Sequence, residues 1–564
     1  MRIKILRLFF TILFVIVGIC LYYLQIIRGP FYDNLSSRNS IRLLNIAAPR
    51  GDIYDRAGKL IVTSALSFGV FIVPQEAEDI DAEMEKLAAI LGVSKSLLER
   101  NYKRNRTASF APCELIRGIS KKAAILIEES RFEMPGILVK EVSLRDYRYE
   151  GAFSHVTGYI GEIGPFELEL LKPYGYSIKD LIGKDGIERY CDKILRGKNG
   201  GMQIQVDNRG RQVKVMSYKK PKSGRDIYLT LDAGLQKKVY DLFDGRKGAA
   251  VFMDPGNGEV LCLVSSPSYD PGGSISDAIR SDESPLLNRA VMGAYPPGSV
   301  FKIVTAMAAL ETKKIRPDTG FVCDGKFKIG RDELNCWNRD GHGYVDLKKA
   351  IAWSCNVYFC HAGLMAGAEK ISEYAGLFGL GKKTGIELFG ESSGLVPSKE
   401  WKRIEKKEIW YPGDTANFSI GQGALLTTPL QITRMIAAIA NSGTLVQPHI
   451  LKRVGDAETA GFKTENTRIT REYADAVKLG MRMVTEDIDG TGTRAYSEIV
   501  SISAKTSTAQ VRHGVPPHGW FAGFAPSGNP KICFVVFLEN GGSGGDVPAE
   551  IARDALEYWF KKNE

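Results

Sequence analysis

The sequence predicts an α+β protein with three parts: an N-terminal transmembrane helix, an elongated spacer domain, and a C-terminal domain in which helices flank an antiparallel sheet. At 564 residues the chain is too long for one ordinary hydrophobic core. One apolar segment near the N-terminus is long enough to cross a membrane. Strand-like segments occur at both ends of residues 223–564, with helical patterns between them, which is typical of one sheet beside a helical subdomain.

The predicted membrane anchor covers residues 8–27, which contain no charged side chain. A helix of about 20 residues spans about 30 Å, the thickness of the hydrocarbon core of a bilayer. Three basic residues precede the segment, so we expect residues 1–7 to be cytoplasmic and the rest of this single-pass chain to lie outside the plasma or inner membrane. A cleaved signal peptide is the alternative, but residues 22–25 are too bulky for a cleavage site.

Residues 28–222 are predicted to form a pedestal without a catalytic site. Two strand-like runs, 60–65 and 68–73, precede a helix-like region, 78–132, that is polar on one face. The Gly- and Lys-rich section 183–222 is typical of exposed hairpins and a linker. We expect this domain to hold the following one away from the membrane.

The C-terminal domain, residues 223–564, has clearer patterns. An amphipathic helix, 233–243, is followed by two strands joined by the turn Pro255–Gly258, which predicts a tight hairpin. Three further strands and a helix from about Pro548 to Lys561 are predicted at the end of the chain. The net charge of +10 is spread along the sequence, which suits an anionic membrane or cell-wall polymer, and no nucleic-acid motif accompanies it.

A nucleophilic serine is predicted at Ser299, because a proline-rich loop ends there and residues 300–311 have helical periodicity. Positions three apart share a helix face, so the amine of Lys302 is within reach of the Ser299 hydroxyl. A buried lysine can lose its proton and act as the base that a serine needs. A second Ser-x-x-Lys, Ser217 to Lys220, lies in the linker-like section without a helix after it.

Two further motifs complete the predicted site. Ser354 and Asn356 offer a second hydroxyl for proton relay and an amide for a substrate carbonyl. A strand-like segment offers a lysine and two hydroxyls for a substrate carboxylate, and a backbone amide for an oxyanion, at Lys505, Thr506 and Thr508. Each motif alone is an ordinary helix cap or exposed strand. Together, in this order, they indicate a serine acyltransferase that penicillin inactivates.

These motifs resemble those of the class B penicillin-binding proteins, which are membrane-anchored D,D-transpeptidases. The resemblance covers almost the whole chain and includes the segments Pro49–Arg56, His155–Tyr159, Gly183–Glu188, Asn288–Ala290 and Gly421–Pro429. It implies that residues 28–222 are a dimerisation-type pedestal and that residues 223–564 are the transpeptidase domain. Residues 357–401 are similar to the elongation-type branch, penicillin-binding protein 2, which works with a polytopic glycosyltransferase in the membrane. A division-type transpeptidase is the alternative.

The resemblance implies a reaction without a cofactor, in which peptidoglycan stem peptides are cross-linked through an acyl-enzyme. Lys302 would deprotonate Ser299, which attacks the penultimate D-Ala carbonyl, and an amine of a neighbouring stem would resolve the ester. The oxyanion would be held by the amides of Ser299 and Thr508, the leaving-group proton relayed by Ser354, and the donor peptide held by Asn356, Lys505, Thr506 and Thr508. β-Lactams should stop at the acyl stage.

One residue departs from the family pattern, which usually has glycine where Ser507 stands. A side chain at this position is expected to narrow the cleft or to shift the oxyanion amide. We therefore expect slower acylation by bulky β-lactams than in Ser507→Gly.

A structural zinc site is predicted from three thiols and one imidazole, Cys323, Cys336, His342 and Cys355, a donor set suited to tetrahedral zinc. The resemblance supports this, because some elongation-type relatives hold a zinc beside the second motif. Disulfides, common in oxidising compartments, and ordinary buried cysteines are the alternatives, since the chain has nine cysteines. Cys360 or His361 could replace a ligand.

Three other functions fit parts of the pattern. A β-lactamase would need a positioned water, usually held by an extra glutamate, and no long spacer. A non-catalytic penicillin-binding scaffold or sensor would keep the pocket without turnover. A D,D-carboxypeptidase would leave the spacer without a purpose.

Overall fold

The computed structural model describes residues 2–32, 41–106, 109, 111–206, 212–330, 332–510 and 514–563. Its N-terminal helix runs over Arg2–Tyr22 and continues as a wider π-helical turn over Tyr23–Ile27. In the described part of the chain, this is the one helix long and apolar enough to cross a membrane. None of its residues is buried by the rest of the protein, as expected for a segment whose apolar side chains contact lipid.

The chain forms two compact units, each assembled from separate stretches of sequence. The first contains Met1–Gly51, Ser64–Leu144 and Arg196–Gly224, and the second contains Asp52–Thr63, Arg145–Leu195 and Arg225–Glu564. The single boundary drawn from the sequence at residue 222 stays a prediction.

The first unit combines helices with short antiparallel sheets. Besides the N-terminal helix, it contains the helices Ile80–Leu91, Lys95–Asn105 and Lys121–Glu129. The side chain of Asp79 caps the first of them by accepting from two backbone amides, and Gly92 ends it in the left-handed conformation. A three-stranded sheet has the order Ile41–Ile46, Gly200–Val206, Gln212–Lys219.

Two expectations for the pedestal region are wrong in detail. The two strand-like runs near residues 60–73 form one strand, Leu60–Ile72. The helix-like region contains a strand, Cys113–Ile119, which pairs antiparallel with residues 68–72. In that strand Cys113, Leu115 and Ile119 are buried, so alternation with period two outweighs the helical pattern around it. Another strand, Ile137–Tyr147, follows.

The glycine-rich section 183–222 is predicted to form exposed hairpins and a linker, but part of its first half is buried in the structure. Gly186–Tyr190 and Asp192–Leu195 are helices in the second unit, with Ile187 and Leu195 fully buried. A Cβ on Gly183 would lie 1.9 Å from the carbonyl oxygen of Glu188, so this glycine permits a close backbone approach and does not mark a linker. The carboxylate of Glu188 is fully buried and accepts from Arg145 at 2.6 Å.

The core of the second unit is a five-stranded antiparallel sheet, which confirms the α+β prediction. Its strands, in spatial order, are Val260–Ser266, Gly248–Met253, Ile532–Leu538, His518–Ala525 and Ser503–Ala509. Alternate side chains enter different hydrophobic clusters. Ala250 and Phe252 pack with the helices Ala233–Phe243 and Val547–Asn563, whereas Val251 and Met253 face the helical subdomain. Ser503–Ala509 is the last strand, so one of its edges is open.

The second unit also contains a helical subdomain. Its main helices are Lys302–Glu311, Leu347–Ala352, Asn356–Ala366, Ala368–Leu377, Pro412–Ser419, Pro429–Ala440 and Arg471–Glu486. Two small antiparallel pairs lie between the first two helices in sequence: Phe321–Cys323 with Gly343–Val345, and Lys326–Ile329 with Asp332–Asn335. The remaining short elements of this unit include Ile53–Tyr54, Ser154–Thr157, Ile160–Glu162, Pro165–Leu171, Leu181–Gly183, Ile227–Leu229, Ile275–Arg280, Lys399–Trp401, Thr444–Val446, Leu451–Val454, Ala457–Glu458 and Thr464–Asn466.

Candidate active site

Ser299 lies in a single 3₁₀ turn, Gly298–Phe301, which leads directly into the helix Lys302–Glu311. Gly298 has φ +51°, and a Cβ there would lie only 2.4 Å from the hydroxyl oxygen of Ser507. Only glycine fits this position without a shift of its neighbours. The turn therefore holds Ser299 at the start of a buried helix, as the sequence predicts.

Lys302 is fully buried and joins the first motif to the second. Its Nζ donates to the backbone oxygen of Ser354 at 2.7 Å, to the Ser354 hydroxyl at 3.2 Å and to Oδ1 of Asn356 at 2.7 Å. Three acceptors match the three protons of an ammonium group. Burial nevertheless lowers the pKa of Lys302 to about 8, because the charged form loses its hydration.

The second motif is held in a conformation that few residues adopt. Ser354 has φ +53°, in the left-handed region that is costly for a residue with a Cβ. Asn356 begins the helix Asn356–Ala366, and its Nδ2 donates to the backbone oxygen of Asn335 at 2.9 Å. Both polar atoms of the Asn356 amide are thus bonded within the protein, one to Lys302 and one to Asn335.

The third motif occupies the open strand Ser503–Ala509. Lys505 is fully buried, and its Nζ donates to the backbone oxygen of Thr506 at 3.0 Å. Burial, with a smaller contribution from the charge of Lys302, lowers the pKa of Lys505 well below its usual value. Side chains alternate along a strand, so Thr506 and Thr508 share one face and Lys505 lies on the other. The Thr506 hydroxyl is 2.6 Å from that of Thr491, and Thr508 is exposed.

Ser507 contacts the nucleophile directly. Its hydroxyl oxygen accepts a hydrogen bond from the backbone N–H of Ser299 at 2.8 Å. The side chain is only 2% exposed. The sequence identified Ser507 as a departure from the family pattern but did not indicate this bond, which links residues 208 positions apart.

The backbone of the turn that contains Ser299 is hydrogen-bonded to the segment that contains Gly421. The backbone N–H of Gly298 donates to the backbone oxygen of Gly421 at 3.1 Å. A Cβ on Gly421 would lie 2.1 Å from the carbonyl oxygen of Gly298, so glycine is required there as well. Just before the turn, the backbones of Tyr295 and Thr427 exchange two hydrogen bonds of 2.9 Å.

The four predicted metal ligands come together beside the second motif. The donor atoms of Cys323, Cys336, His342 and Cys355 all lie within 4.8 Å of one another. Nδ1 of His342 is 3.5 Å from both the Cys323 and the Cys336 sulfur. The donor set of three sulfurs and one imidazole suits tetrahedral zinc. No ligand comes from Cys360 or His361: the first bonds weakly to the backbone of Ala416, and the ring of the second stacks on Phe321.

All nine cysteines are free thiols in the structure, including the three whose sulfurs lie in this cluster. Eight of them are buried, and Cys20 is exposed on the N-terminal helix. Sequence reasoning missed Asn335 and Thr491, which touch the second and third motifs. Neither belongs to a recognisable motif, and only the tertiary fold brings them to the site.

Two family models match the chain. The Penicillin binding protein transpeptidase domain matches residues 248–557, and the Penicillin-binding Protein dimerisation domain matches residues 45–229. The peptidoglycan D,D-transpeptidase MrdA of Haemophilus influenzae is 32% identical over 580 residues, covering 96% of this chain and 89% of the relative.

Solved structures agree with the sequence comparisons. The complex between penicillin-binding protein 2 and MreC from Helicobacter pylori matches with a TM-score of 0.80 and 27% identity, over 93% of this chain and 99% of that one. A structure described as showing the coordination of polymerization and crosslinking by a peptidoglycan synthase complex matches with a TM-score of 0.75 and 29% identity, over 99% and 98% of the two chains. By full-length similarity and by both domains, this chain belongs to the class B penicillin-binding proteins, in the branch of penicillin-binding protein 2.

Proposed function

We propose that this protein cross-links peptidoglycan stem peptides during cell-wall elongation through an acyl-enzyme on Ser299. The observation that carries the proposal is the bonding of Lys302, a buried lysine one helical turn from Ser299, to both Ser354 and Asn356. A lysine whose pKa burial lowers to about 8 is neutral in about one tenth of the molecules at pH 7, far more than an exposed lysine, and the neutral amine can accept a proton.

The acylation step uses these groups in sequence. The neutral amine of Lys302 takes the proton of the Ser299 hydroxyl as the oxygen attacks the carbonyl of the penultimate D-Ala. The backbone amides of Ser299 and Thr508 donate to the oxyanion of the tetrahedral intermediate. The peptide C–N bond then breaks, and the nitrogen of the leaving D-Ala receives the proton through the hydroxyl of Ser354, which is bonded to Lys302.

Substrate binding and deacylation complete the cycle. At the open edge of the sheet, the hydroxyls of Thr506 and Thr508 hold the donor carboxylate together with the amine of Lys505, whose charged form the carboxylate would stabilise. In the resting enzyme the Asn356 amide accepts from Lys302 and donates to Asn335. When the donor peptide binds, Asn356 gives up one of these hydrogen bonds and forms one to the peptide backbone instead. An amine of a second stem attacks the ester carbonyl and gives up a proton to the neutral Lys302, the C–O bond to Ser299 breaks, and Lys302 returns that proton to the serine oxygen. When Ser299 opens a β-lactam, the C–N bond of the ring breaks but the leaving nitrogen stays tethered to the acyl group, so the site is not cleared for the acceptor and the acyl-enzyme persists.

The membrane arrangement is part of the same proposal. The basic residues Arg2, Lys4 and Arg7 keep the N-terminus in the cytoplasm, and residues 28–222 form the pedestal of an extracytoplasmic catalytic domain. The partner is a polytopic glycosyltransferase that supplies glycan strands next to the anchor. The similarity to a chain of a peptidoglycan synthase complex, and to a penicillin-binding protein 2 in complex with MreC, supports a role in an elongation assembly.

The direct test of this function is the reaction itself. The full-length protein in detergent is incubated with a stem pentapeptide donor and an amine acceptor. We expect release of free D-Ala and formation of a cross-linked dimer, both blocked by prior treatment with benzylpenicillin. A folded protein that binds penicillin but forms neither product would contradict the proposal and favour a scaffold or sensor.

We further propose that Cys323, Cys336, His342 and Cys355 hold a structural zinc ion. All four zinc positions would be filled by protein, which leaves none for a reacting water. Among the described residues, Nε2 of His342 is buried and has no hydrogen-bond partner, whereas Nδ1 lies 3.5 Å from two of the sulfurs. Cys355 lies between Ser354 and Asn356, and Cys336 follows Asn335, which accepts from Asn356. The metal would therefore fix the backbone on both sides of the Asn356 amide.

Loss of the zinc site is expected to lower both stability and activity. In Cys336→Ala we expect the zinc content to fall from about one ion per chain to near zero, the melting temperature to drop, and acylation by penicillin to slow by about tenfold or more. Zinc is measured by mass spectrometry on protein purified without a chelator. Cys360→Ala is the matched control, since this buried cysteine lies outside the cluster and should keep its zinc. Wild-type protein without zinc and with every thiol free would rule the site out.

A further inference from the structure

The hydroxyl of Ser507 occupies the position toward which the amide of the nucleophile points. The Ser299 N–H donates to Ser507 Oγ at 2.8 Å, and Ser507 is almost fully buried. A single N–H makes one strong hydrogen bond at a time. The same amide therefore cannot donate fully to Ser507 and to an oxyanion at once.

The packing around Ser507 confines its hydroxyl to this place. On the strand Ser503–Ala509, Ser507 and Ala509 point toward the serine turn. A Cβ built on Gly298 would lie 2.4 Å from Ser507 Oγ and 3.2 Å from the Cβ of Ala509. The Ser507 hydroxyl is thus enclosed between the strand and the turn, unlike a surface serine that rotates freely in water.

We propose, on the basis of the function proposed above, that Ser507 is an internal competitor for the oxyanion hole. In the resting enzyme the Ser299 amide is capped by the Ser507 hydroxyl, and the bond must be given up before that amide can stabilise the tetrahedral intermediate. The resting state is stabilised by a hydrogen bond that is lost in the transition state, which raises the barrier to acylation. A glycine at this position would leave the amide free.

The removal of this hydroxyl is expected to accelerate acylation. One net hydrogen bond of this kind changes an equilibrium or rate by about two- to tenfold. In Ser507→Ala the competing acceptor is gone while the Cβ remains, so the variant separates the hydrogen bond from the bulk of the side chain. Ser507→Gly removes both, and it serves as the second variant if alanine disturbs the fold.

Another serine on the same strand offers a matched control. Ser503 is 1% exposed, and its hydroxyl bonds to that of Ser527 at 2.9 Å, within the unit but away from Ser299. Ser503→Ala therefore removes a buried hydroxyl from the strand without touching the oxyanion amide. A purely structural effect of losing a strand hydroxyl would appear in this variant as well.

The test uses the full-length protein in detergent and two readouts. Stopped-flow acylation with a fluorescent penicillin separates the dissociation constant of the initial complex from the acylation rate constant k2. Binding of a phenylboronic acid, whose tetrahedral boronate on Ser299 mimics the intermediate, reports on the oxyanion hole without turnover. For Ser507→Ala we expect k2 and boronate affinity to rise by about two- to tenfold, with the initial dissociation constant unchanged. Ser503→Ala should match the wild type in both readouts.

The possible results distinguish a failure of this inference from a failure of the proposed transpeptidase function on which it rests. Acylation at Ser299 with equal k2 and equal boronate affinity in wild type and Ser507→Ala would overturn the inference and leave the proposed function standing. Slower acylation in Ser507→Ala would also overturn it, because the hydroxyl would then be assisting the oxyanion. No acylation of Ser299 in any variant would contradict the proposed function, and the inference would fail with it.

Discussion

The Ser299→Ala variant is expected to lose cross-linking activity by about a thousandfold or more, down to the background rate. The proposed reaction passes through an ester on the Ser299 oxygen, and alanine has no atom that can form it. The fold should survive, since Ser299 is half-buried and its hydroxyl has no hydrogen-bond partner among the described residues. Release of D-Ala and formation of a covalent penicillin adduct are the two measurements.

The second Ser-x-x-Lys of the chain is the matched control for this prediction. Ser217 lies on the surface strand Gln212–Lys219, where its hydroxyl donates to Oε1 of Gln203 at 3.0 Å. Ser217→Ala should retain full activity and the full adduct. Activity that survives in Ser299→Ala, or that is lost in Ser217→Ala, would show that the nucleophile has been assigned to the wrong serine.

The Lys302→Arg variant is expected to lose about a hundredfold to ten-thousandfold in the acylation rate. Arginine keeps the positive charge but does not give up a proton in proteins, so it cannot act as the base. The initial, non-covalent binding of penicillin should change little. The acylation rate constant k2 is measured beside the melting temperature, which separates a loss of chemistry from a loss of fold.

The pH profile of the wild type tests the same role of Lys302. Burial lowers the pKa of Lys302 to about 8, so the ammonium form dominates below that pH and the neutral amine above it. Because only the neutral form accepts the serine proton, k2 should rise about tenfold per pH unit up to about pH 8 and then level off. A flat profile, or a Lys302→Arg variant as fast as the wild type at neutral pH, would mean that another group is the base.

The architecture of the second unit could be predicted largely from the sequence, because each element carries its own signal. Asp232 caps the helix Ala233–Phe243 with two hydrogen bonds, and Pro255–Gly258 joins two wholly buried strands. The sequence predictions are wrong where the same local pattern is compatible with two kinds of structure. The strand Cys113–Ile119 is short and lies between helices. The glycines near residue 183 are typical of a linker, whereas in the structure Gly183 allows its backbone to pack directly against that of Glu188.

The candidate site was predictable as a set of residues but not as a network. The order of the three motifs was enough to select Ser299, Lys302 and Lys505. Their hydrogen-bond partners were not predictable, because the bonds connect positions far apart in sequence: Ser507 with Ser299 across 208 residues and Asn356 with Asn335 across 21. Sequence patterns report local periodicity, and such contacts depend on how the strand, the turn and the helices pack.

The most direct test of the acyl-enzyme on Ser299 is the intact mass of the full-length protein after incubation with benzylpenicillin, followed over time and mapped by proteolysis. The proposed mechanism predicts one penicilloyl group per chain, on the peptide that contains Ser299, with a lifetime of many minutes or longer. An adduct that forms and clears within seconds would identify a β-lactamase. An adduct on any other residue, or none on a folded protein, would contradict the assignment of Ser299 as the nucleophile.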